Sequence, residues 1–510
     1  MQQNTHGYVT ELDYVGNYYD FQSPVLLNYI AGLNGMNPPD NLQNFDYCEL
    51  GCGKGVTLNL LADANPDSHF IGIDFNESHI QAARQQAEDC DIKNVRYFPY
   101  SFDQLDQKDL PEFDYIVLHG VYSWISPELR GHIVNFIRRK LKPGGVVMVS
   151  YNALPGKALD KILRDMMLTY ANTQDVSLLE KTSHGISYLD YLAQHKAPFF
   201  QQNPKAIDKV ALLKKQDMRY VAHEYFGEHW NPLYFSDVYK EMQTAGMQFA
   251  GQTEIMANYA NLAFPSGFQD QFNQSSDRIS LEIHRDFILN NGFRRDVYIK
   301  PHTSTGQQDL SLDQLLQRFA FVSLVSPDKF NFDIKTVSSV MKLHGDIYKQ
   351  LVDLLYGQAQ SLNQLMQHPA MQPHTVEQVA DALQKLLIGN EMRIALKPTT
   401  NQSEGRLSLL NQQKLRKMNG GQIWLSSPVL GAAVAVNELD MLLFKASQEF
   451  SGDDAARNVV DQLHKRGKKL VDENGNAIDS DESRKKYVAE LLEQTRRHFI
   501  PCLQGLRVIE

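Results

Sequence analysis

The residues Glu49-Leu50-Gly51-Cys52-Gly53-Lys54-Gly55 set a carboxylate just ahead of a turn with glycine at alternate positions. Glycine tolerates left-handed dihedrals and lets backbone approach a ligand closely, so the chemistry to expect is the binding of a small cofactor. A G-x-G pair is common in purely structural turns, and its surroundings give it weight here. The dinucleotide pattern G-x-G-x-x-G needs glycine at 56, where valine stands, and the G-K-[ST] ending of a phosphate-cradling loop does not follow. A nucleoside whose tail is not a pyrophosphate fits better, and S-adenosylmethionine is such a molecule. Asp74 lies 23 residues after Gly51 at the end of an apolar run, where its carboxylate can accept hydrogen bonds from both ribose hydroxyls. Glu49 is an anion suited to a sulfonium and an amino group, and Cys52 and Phe75 flank these positions in the chain.

Two further stretches combine aromatic and polar residues: His119-Gly120-Val121-Tyr122-Ser123-Trp124 and Ser150-Tyr151-Asn152-Ala153-Leu154-Pro155-Gly156. Each directly follows an apolar run. In an open parallel sheet, ligands bind beyond the carboxyl ends of the strands, and both stretches emerge at that edge. Aromatics after strands often only pack on a neighbouring helix. As a set at the reaction edge, these flank the expected donor.

The elements that must hold them read clearly between residues 44 and 152. Strands are expected at 44–50, 69–75, 95–100, 113–120 and 145–152, with helical spacing between them. Ser126, Pro127 and Glu128 start the helix before the fifth strand, and Lys142-Pro143-Gly144-Gly145 ends it. Continuous apolar strands alternating with helices predict a doubly wound α/β domain built on a parallel sheet. Residues 1–155 form the expected core, and 156–245 a helical insertion acting in dimerisation or as a lid. Residues 246–304 complete the sheet with strands at 246–255 and 293–300. A helical middle domain is expected over 305–400, with winged-helix character at 374–396, a linker at 399–405 and a mixed C-terminal domain over 406–510. That last domain ends in a charged helix from about Glu482 to Phe499, capped by Ser480 or Asp481.

Taken together, ELGCGKG (49–55), FIGIDFN (70–76), DYIVLHGVYSW (114–124) and SYNALPG (150–156) resemble the rickettsial-type bacterial protein lysine methyltransferases. Downstream, 223–242 and 281–300 resemble that family's methyltransferase regulatory domain, and 14–35 its N-terminal aromatic stretch. The resemblance covers roughly residues 8–300 and is looser beyond. It implies a Rossmann-like class I methyltransferase sheet followed by mostly helical middle and C-terminal domains. S-adenosylmethionine is then the methyl donor, held by Glu49, Gly51, Cys52, Gly53, Asp74 and Phe75, with Tyr18, Ser101, Phe102 and His119 as further contacts. Many class I enzymes place an acid at the position of Ser101 to bind the adenine amino group; Asp103 or a backbone group would substitute.

Methyl transfer from a sulfonium is a one-step displacement that depends on alignment. A lysine acceptor must be neutral, although its reference pKa is about 10.4. Tyr122, Trp124 and Tyr151 are the candidates for an aromatic wall that accommodates a cationic amine, Asn152 for orienting it, and His119 for accepting a proton.

Other features exclude alternatives. The chain has 510 residues, enough for several cores, and a formal charge of −10, which argues against a dedicated nucleic-acid binder. The longest apolar stretch, 428–436, is far shorter than the ~20 residues that span a bilayer. Residues 1–10 do not read as a signal peptide, and four cysteines fit a reducing, cytoplasmic location. His223-Glu224 and Glu228-His229 lack the H-E-x-x-H spacing of a metal site, so no metal is expected. The basic run 464–469 is bracketed by Asp461 and Asp472 and reads as a solvated turn. Three functions stay open: a methyltransferase acting on protein lysines, whose C-terminal half positions the protein substrate or forms a homodimer; one acting on a small molecule or lipid; and a donor-binding regulator.

Overall fold

The computed structural model describes residues 16–268, 277–302, 311–399, 408–417, 421–472 and 476–509. The segment 1–10 and most of the 399–405 linker lie outside the described residues. Five strands, β1 (Asp46–Leu50), β2 (His69–Ile73), β3 (Val95–Phe98), β4 (Phe113–Leu118) and β5 (Leu141–Asn152), pair in parallel in the order β3-β2-β1-β4-β5. Beyond β5 lie β7 (Phe293–Ile299), antiparallel to it, and then β6 (Gln248–Gln252) at the edge.

Side chains alternate across each strand, so every strand feeds two cores. Tyr47, Tyr115, Val117, Val146 and Met148 face α1 (Pro24–Leu33), α2 (Val56–Ala64) and α3 (Glu77–Asp89). Cys48, Leu50, Ile116, Leu118, Val147 and Val149 face the other way, onto α4 (Pro127–Lys140). Ser126 caps α4 by accepting from the Leu129 amide at 3.2 Å, with Pro127 at its first position. Burial on both faces is why these strands read as unbroken apolar runs.

Between β5 and β6 run α5 (Ala158–Ala171), α6 (Leu178–Gln194), α7 (Pro198–Gln202), α8 (Pro204–Leu213), α9 (Met218–Tyr225) and α10 (Phe235–Thr244). α5 to α9 share a separate small core around Met167, Leu189 and Val210, whereas α10 returns to the sheet. α11 (Arg278–Leu289) precedes β7.

The second half is mostly helical, as expected, with short strands set among the helices. Strands of three or four residues, Ala320–Ser323, Asp333–Lys335 and Val340–Lys342, interrupt the middle region. The helix Val376–Ile388 is followed by a strand, Met392–Ala395, that pairs antiparallel with Ala320–Ser323. Segments that short carry too few alternations to show a period of two. A hairpin, Ile423–Ser427 with Ala432–Val436, docks on α2: Asn65 Nδ2 donates to the Gly431 carbonyl at 3.1 Å. Ser480 caps the charged helix Asp481–Gln494.

β7 is fixed by buried charge. Arg294, wholly enclosed, donates to Asp296 (2.9 Å), Asp286 (2.7 Å) and Glu282 (2.8 Å), the last also held by Arg285. Removing one partner of such a set leaves the others desolvated and unpaired. Arg294→Met is expected to destabilise the sheet-bearing unit by about 3–5 kcal/mol, read as its earlier unfolding in urea.

Candidate active site

β1 ends in the glycine turn. Gly51 (φ +78°) and Gly53 (φ +52°) are both left-handed, and a Cβ on Gly51 would collide with the Val121 side chain. A Cβ on Gly53 would meet nothing within 4 Å, because that position faces a cavity. The turn is tied to the end of β2: the Gly51 amide donates to the Ile73 carbonyl (2.7 Å) and the Gly53 amide to Asp74 Oδ2 (2.9 Å). Asp74 Oδ1 accepts from the Asn76 amide at 2.9 Å. Each oxygen of Asp74 thus anchors backbone while keeping lone-pair capacity for a further donor.

The cavity measures about 480 Å³. Its walls include Glu49, Gly51, Cys52, Gly53, Asp74, Phe75, Ser101 and Phe102 on the donor side, together with His119, Trp124 and Asn152. Glu49 is buried and its Oε2 has no hydrogen-bond partner. Burial pushes its carboxyl up to about 8, Gln22 beside it pulls the other way, and the charge of Asp74 adds to the rise. A buried carboxylate oxygen left open beside a backbone cradle fits the cationic end of S-adenosylmethionine. When bound, that molecule supplies an electrophilic methyl group.

The β4 and β5 loops are cross-linked at the same edge. His119 Nδ1 lies 2.8 Å from Ser150 Oγ, which also accepts from the Gly120 amide at 3.1 Å. His119 packs between Tyr19 (centroids 4.1 Å) and Phe21 (4.8 Å). Burial and then the charge of Arg295 press its pKa down to about 4, so the ring is neutral near pH 7 and a weak proton acceptor. Asn152 is clamped through its backbone: its amide donates to Ser123 Oγ (2.8 Å) and its carbonyl accepts from Leu233 (2.9 Å). Its side chain reaches the cavity with Nδ2 unpaired.

Three expected site residues stand elsewhere. The Tyr122 hydroxyl donates to Glu241 and the Tyr151 hydroxyl to Asp296 (2.6 Å), both rings being buried away from the cavity lining. The aromatic wall of Tyr122, Trp124 and Tyr151 therefore does not form, and Trp124 alone of the three lines the cavity. Tyr18 is buried against Trp424 and accepts from the Ala433 amide at 3.0 Å, while its neighbour Tyr19 lines the cavity. Asp103 is exposed and outside the lining. Lining residues not singled out from sequence include His79, Lys157 and Tyr220, and one weighed there only in a metal-site pattern is Glu224. The last two belong to α9, and nothing in linear spacing places that helix over the sheet edge.

A doubly wound sheet with a glycine turn after β1 and an acid closing β2 defines a class I methyltransferase. Comparison with known proteins agrees. The methyltransferase domain family matches residues 42–229, and the family described as a predicted methyltransferase regulatory domain matches 217–300. An uncharacterized protein of Synechocystis sp. is 32% identical over 505 residues, 98% of this chain and 99% of that one. An uncharacterized protein of Rickettsia prowazekii is 28% identical over 293 residues, covering 57% of this chain and 52% of its own. The structure of PKMT2 from Rickettsia typhi, also solved in complex with AdoHcy, superposes with a TM-score of 0.68 at 20% identity, covering 97% of this chain and 99% of that one. The chain belongs to the family of S-adenosylmethionine-dependent methyltransferases that carry a methyltransferase regulatory domain.

The raised pKa of Glu49 gives the site a pH signature. A carboxyl lifted by the fold favours stability while protonated, so that contribution is lost as pH rises from its ordinary 4.5 towards about 8. A cationic ligand favours the ionised form. Donor affinity measured by calorimetry is expected to rise with pH up to about 8 and flatten above it. Glu49→Gln should bind weakly without that slope and melt higher than wild type at pH 8 and above.

Proposed function

We propose that the chain transfers methyl groups from S-adenosylmethionine to lysine side chains of a protein acceptor by direct in-line displacement. The observation that carries the reading is a single cavity running from the glycine turn to the ends of β4 and β5. Gly51, Gly53 and Asp74 hold the ribose and backbone-facing part of the donor, and Glu49 its cationic end. Phe75, Ser101 and Phe102 border the base. Trp124, Asn152 and the neutral His119 stand on the acceptor side, where Asn152 orients the amine. Tyr122 and Tyr151 act at one remove, fixing the loops through Glu241 and Asp296.

Length supports a macromolecular acceptor. Methyl transfer needs little beyond the sheet, yet the part of the chain after β7 packs directly onto it through Tyr18, Asn65 and an Arg393–Asp20 ion pair. The likeness to PKMT2 of Rickettsia typhi extends over both halves. A net charge of −10 suits a basic, lysine-bearing partner over nucleic acid. Among the described residues no helix is long and apolar enough to cross a membrane, and the buried free cysteines suit a reducing cytoplasm. Exposed Ile162, Tyr191, Ile207 and Leu212 on the insertion suit a homodimer contact as well as a lid.

One observation favours a small-molecule or lipid acceptor instead: Tyr220, His223 and Glu224 of α9 roof part of the cavity. Incubation with methyl-labelled donor and whole-cell lysate separates the two. Label on protein lysines is the expected result; label only in the small-molecule or organic fraction would establish the second reading. Asp74→Ala should abolish donor binding in calorimetry, and retained affinity would remove Asp74 from the donor site.

A further inference from the structure

Besides Glu49 and Asp74, the cavity holds a third carboxyl, half-buried. Glu224, in the last turn of α9, lines the cavity together with Asn152 and Lys157. Asn152 and the Trp230 indole both sit against it, yet neither Asn152 Nδ2 nor Trp230 Nε1 closes a hydrogen bond of full geometry. Lys157, the cation whose charge acts on Glu224, is engaged by Asp160 at 2.9 Å, and Asp160 in turn takes Lys209 at 2.9 Å. A half-buried carboxylate thus stands beside two under-used donors, with the neighbouring positive charge already shared. A partly desolvated acid gains from a cationic partner.

We infer that Glu224 is the acceptor-binding carboxylate, which receives the substrate nitrogen as an alkylammonium beside Asn152 and makes a cationic amine the preferred acceptor class. This rests on the methyltransferase reading above and sharpens its acceptor side. The location fits: Asn152 ends β5 at the sheet's reaction edge, and α9 brings Glu224 against it from the insertion. Two of the cavity's three carboxyls then divide the work. Glu49 lies at the donor turn, and Glu224 lies where the nucleophile must arrive.

The step balances as follows. The bound ammonium yields one proton to the Glu224 carboxylate and becomes a neutral amine. The nitrogen lone pair forms the new N–C bond while the S–C bond breaks and its electron pair stays on sulfur, leaving a thioether and a methylated ammonium. Glu224 passes its proton to solvent. Burial raises the Glu224 carboxyl, with Asp160 adding to the rise and Lys157, Trp230 and Asn152 opposing it. That brings it nearer to an amine in proton affinity than an exposed glutamate would be. Tyr220, His223 and Tyr225 are the other titratable groups that α9 presents around it.

The test uses the full chain saturated with S-adenosylhomocysteine, so that the donor end is filled. Calorimetry then compares pentylammonium with neutral pentanol. Wild type is expected to prefer the cation by about tenfold or more, the range for a charge-assisted pair. Glu224→Gln should erase that preference while keeping its melting temperature and its affinity for S-adenosylhomocysteine. Equal binding of the two probes by wild type, or an unchanged preference in the variant, would overturn the inference. The wild-type comparison stands even where the variant folds poorly. Failure of the lysate experiment with cation preference intact would instead remove the protein acceptor and leave the amine site.

Discussion

Everything at the reaction edge hangs on the pairing of β5 with β7 across a chain excursion of about 140 residues, with the Tyr151 hydroxyl donating across the seam to Asp296. β7 runs antiparallel to β5 from Asn152↔Phe293 to Val146↔Ile299. Phe293 therefore lies beside Asn152 at the cavity, and Asp296 lies where it can take the Tyr151 hydroxyl. Glu282 and Asp286 of α11 close on the same guanidinium. The part of the chain after the insertion thus grips the end of β5 from both backbone and side chains. Buried ion sets of this type contribute little net stability over apolar packing, but losing one partner leaves the others desolvated and unpaired. Here the set locks α11 onto β7, and the Tyr151–Asp296 hydrogen bond ties β7 to β5 beside Asn152.

The insertion gains its meaning from that closure. Its stem residues Asn231 and Leu233 donate to the carbonyls of Ser123 and Asn152, stitching it to both loops at once. α9 is carried over the cavity as a result, and its residues reach a site built otherwise from the sheet edge.

The sheet and the donor side were legible because their signals are local. Gly51, Gly53 and Asp74 sit at fixed offsets from strand ends, and the structure brings them together as the spacing implies. The acceptor side was legible only in part. Tyr122 and Tyr151 looked catalytic because they neighbour Trp124 and Asn152 in sequence. Their rings instead turn into the core, where Glu241 and Asp296, over a hundred residues away, take the hydroxyls. Tyr18 was confused with Tyr19 for the same reason: adjacent residues on extended backbone point opposite ways. Glu224 was visible only as a partner for His223 in a metal site it does not build. Its contact with Asn152 is a tertiary fact that periodicity does not encode.

Tyr18 and Tyr19 also connect two distant parts of the molecule. Tyr18 packs on Trp424 and accepts from Ala433 in the C-terminal hairpin, while Tyr19 packs edge-on against His119 inside the cavity. Consecutive Cα atoms are about 3.8 Å apart, so one peptide unit separates the hairpin from the entrance wall. The hairpin and the cavity therefore share a mechanical joint. A displacement of the hairpin would reach, through a single peptide unit, the ring that stands against His119.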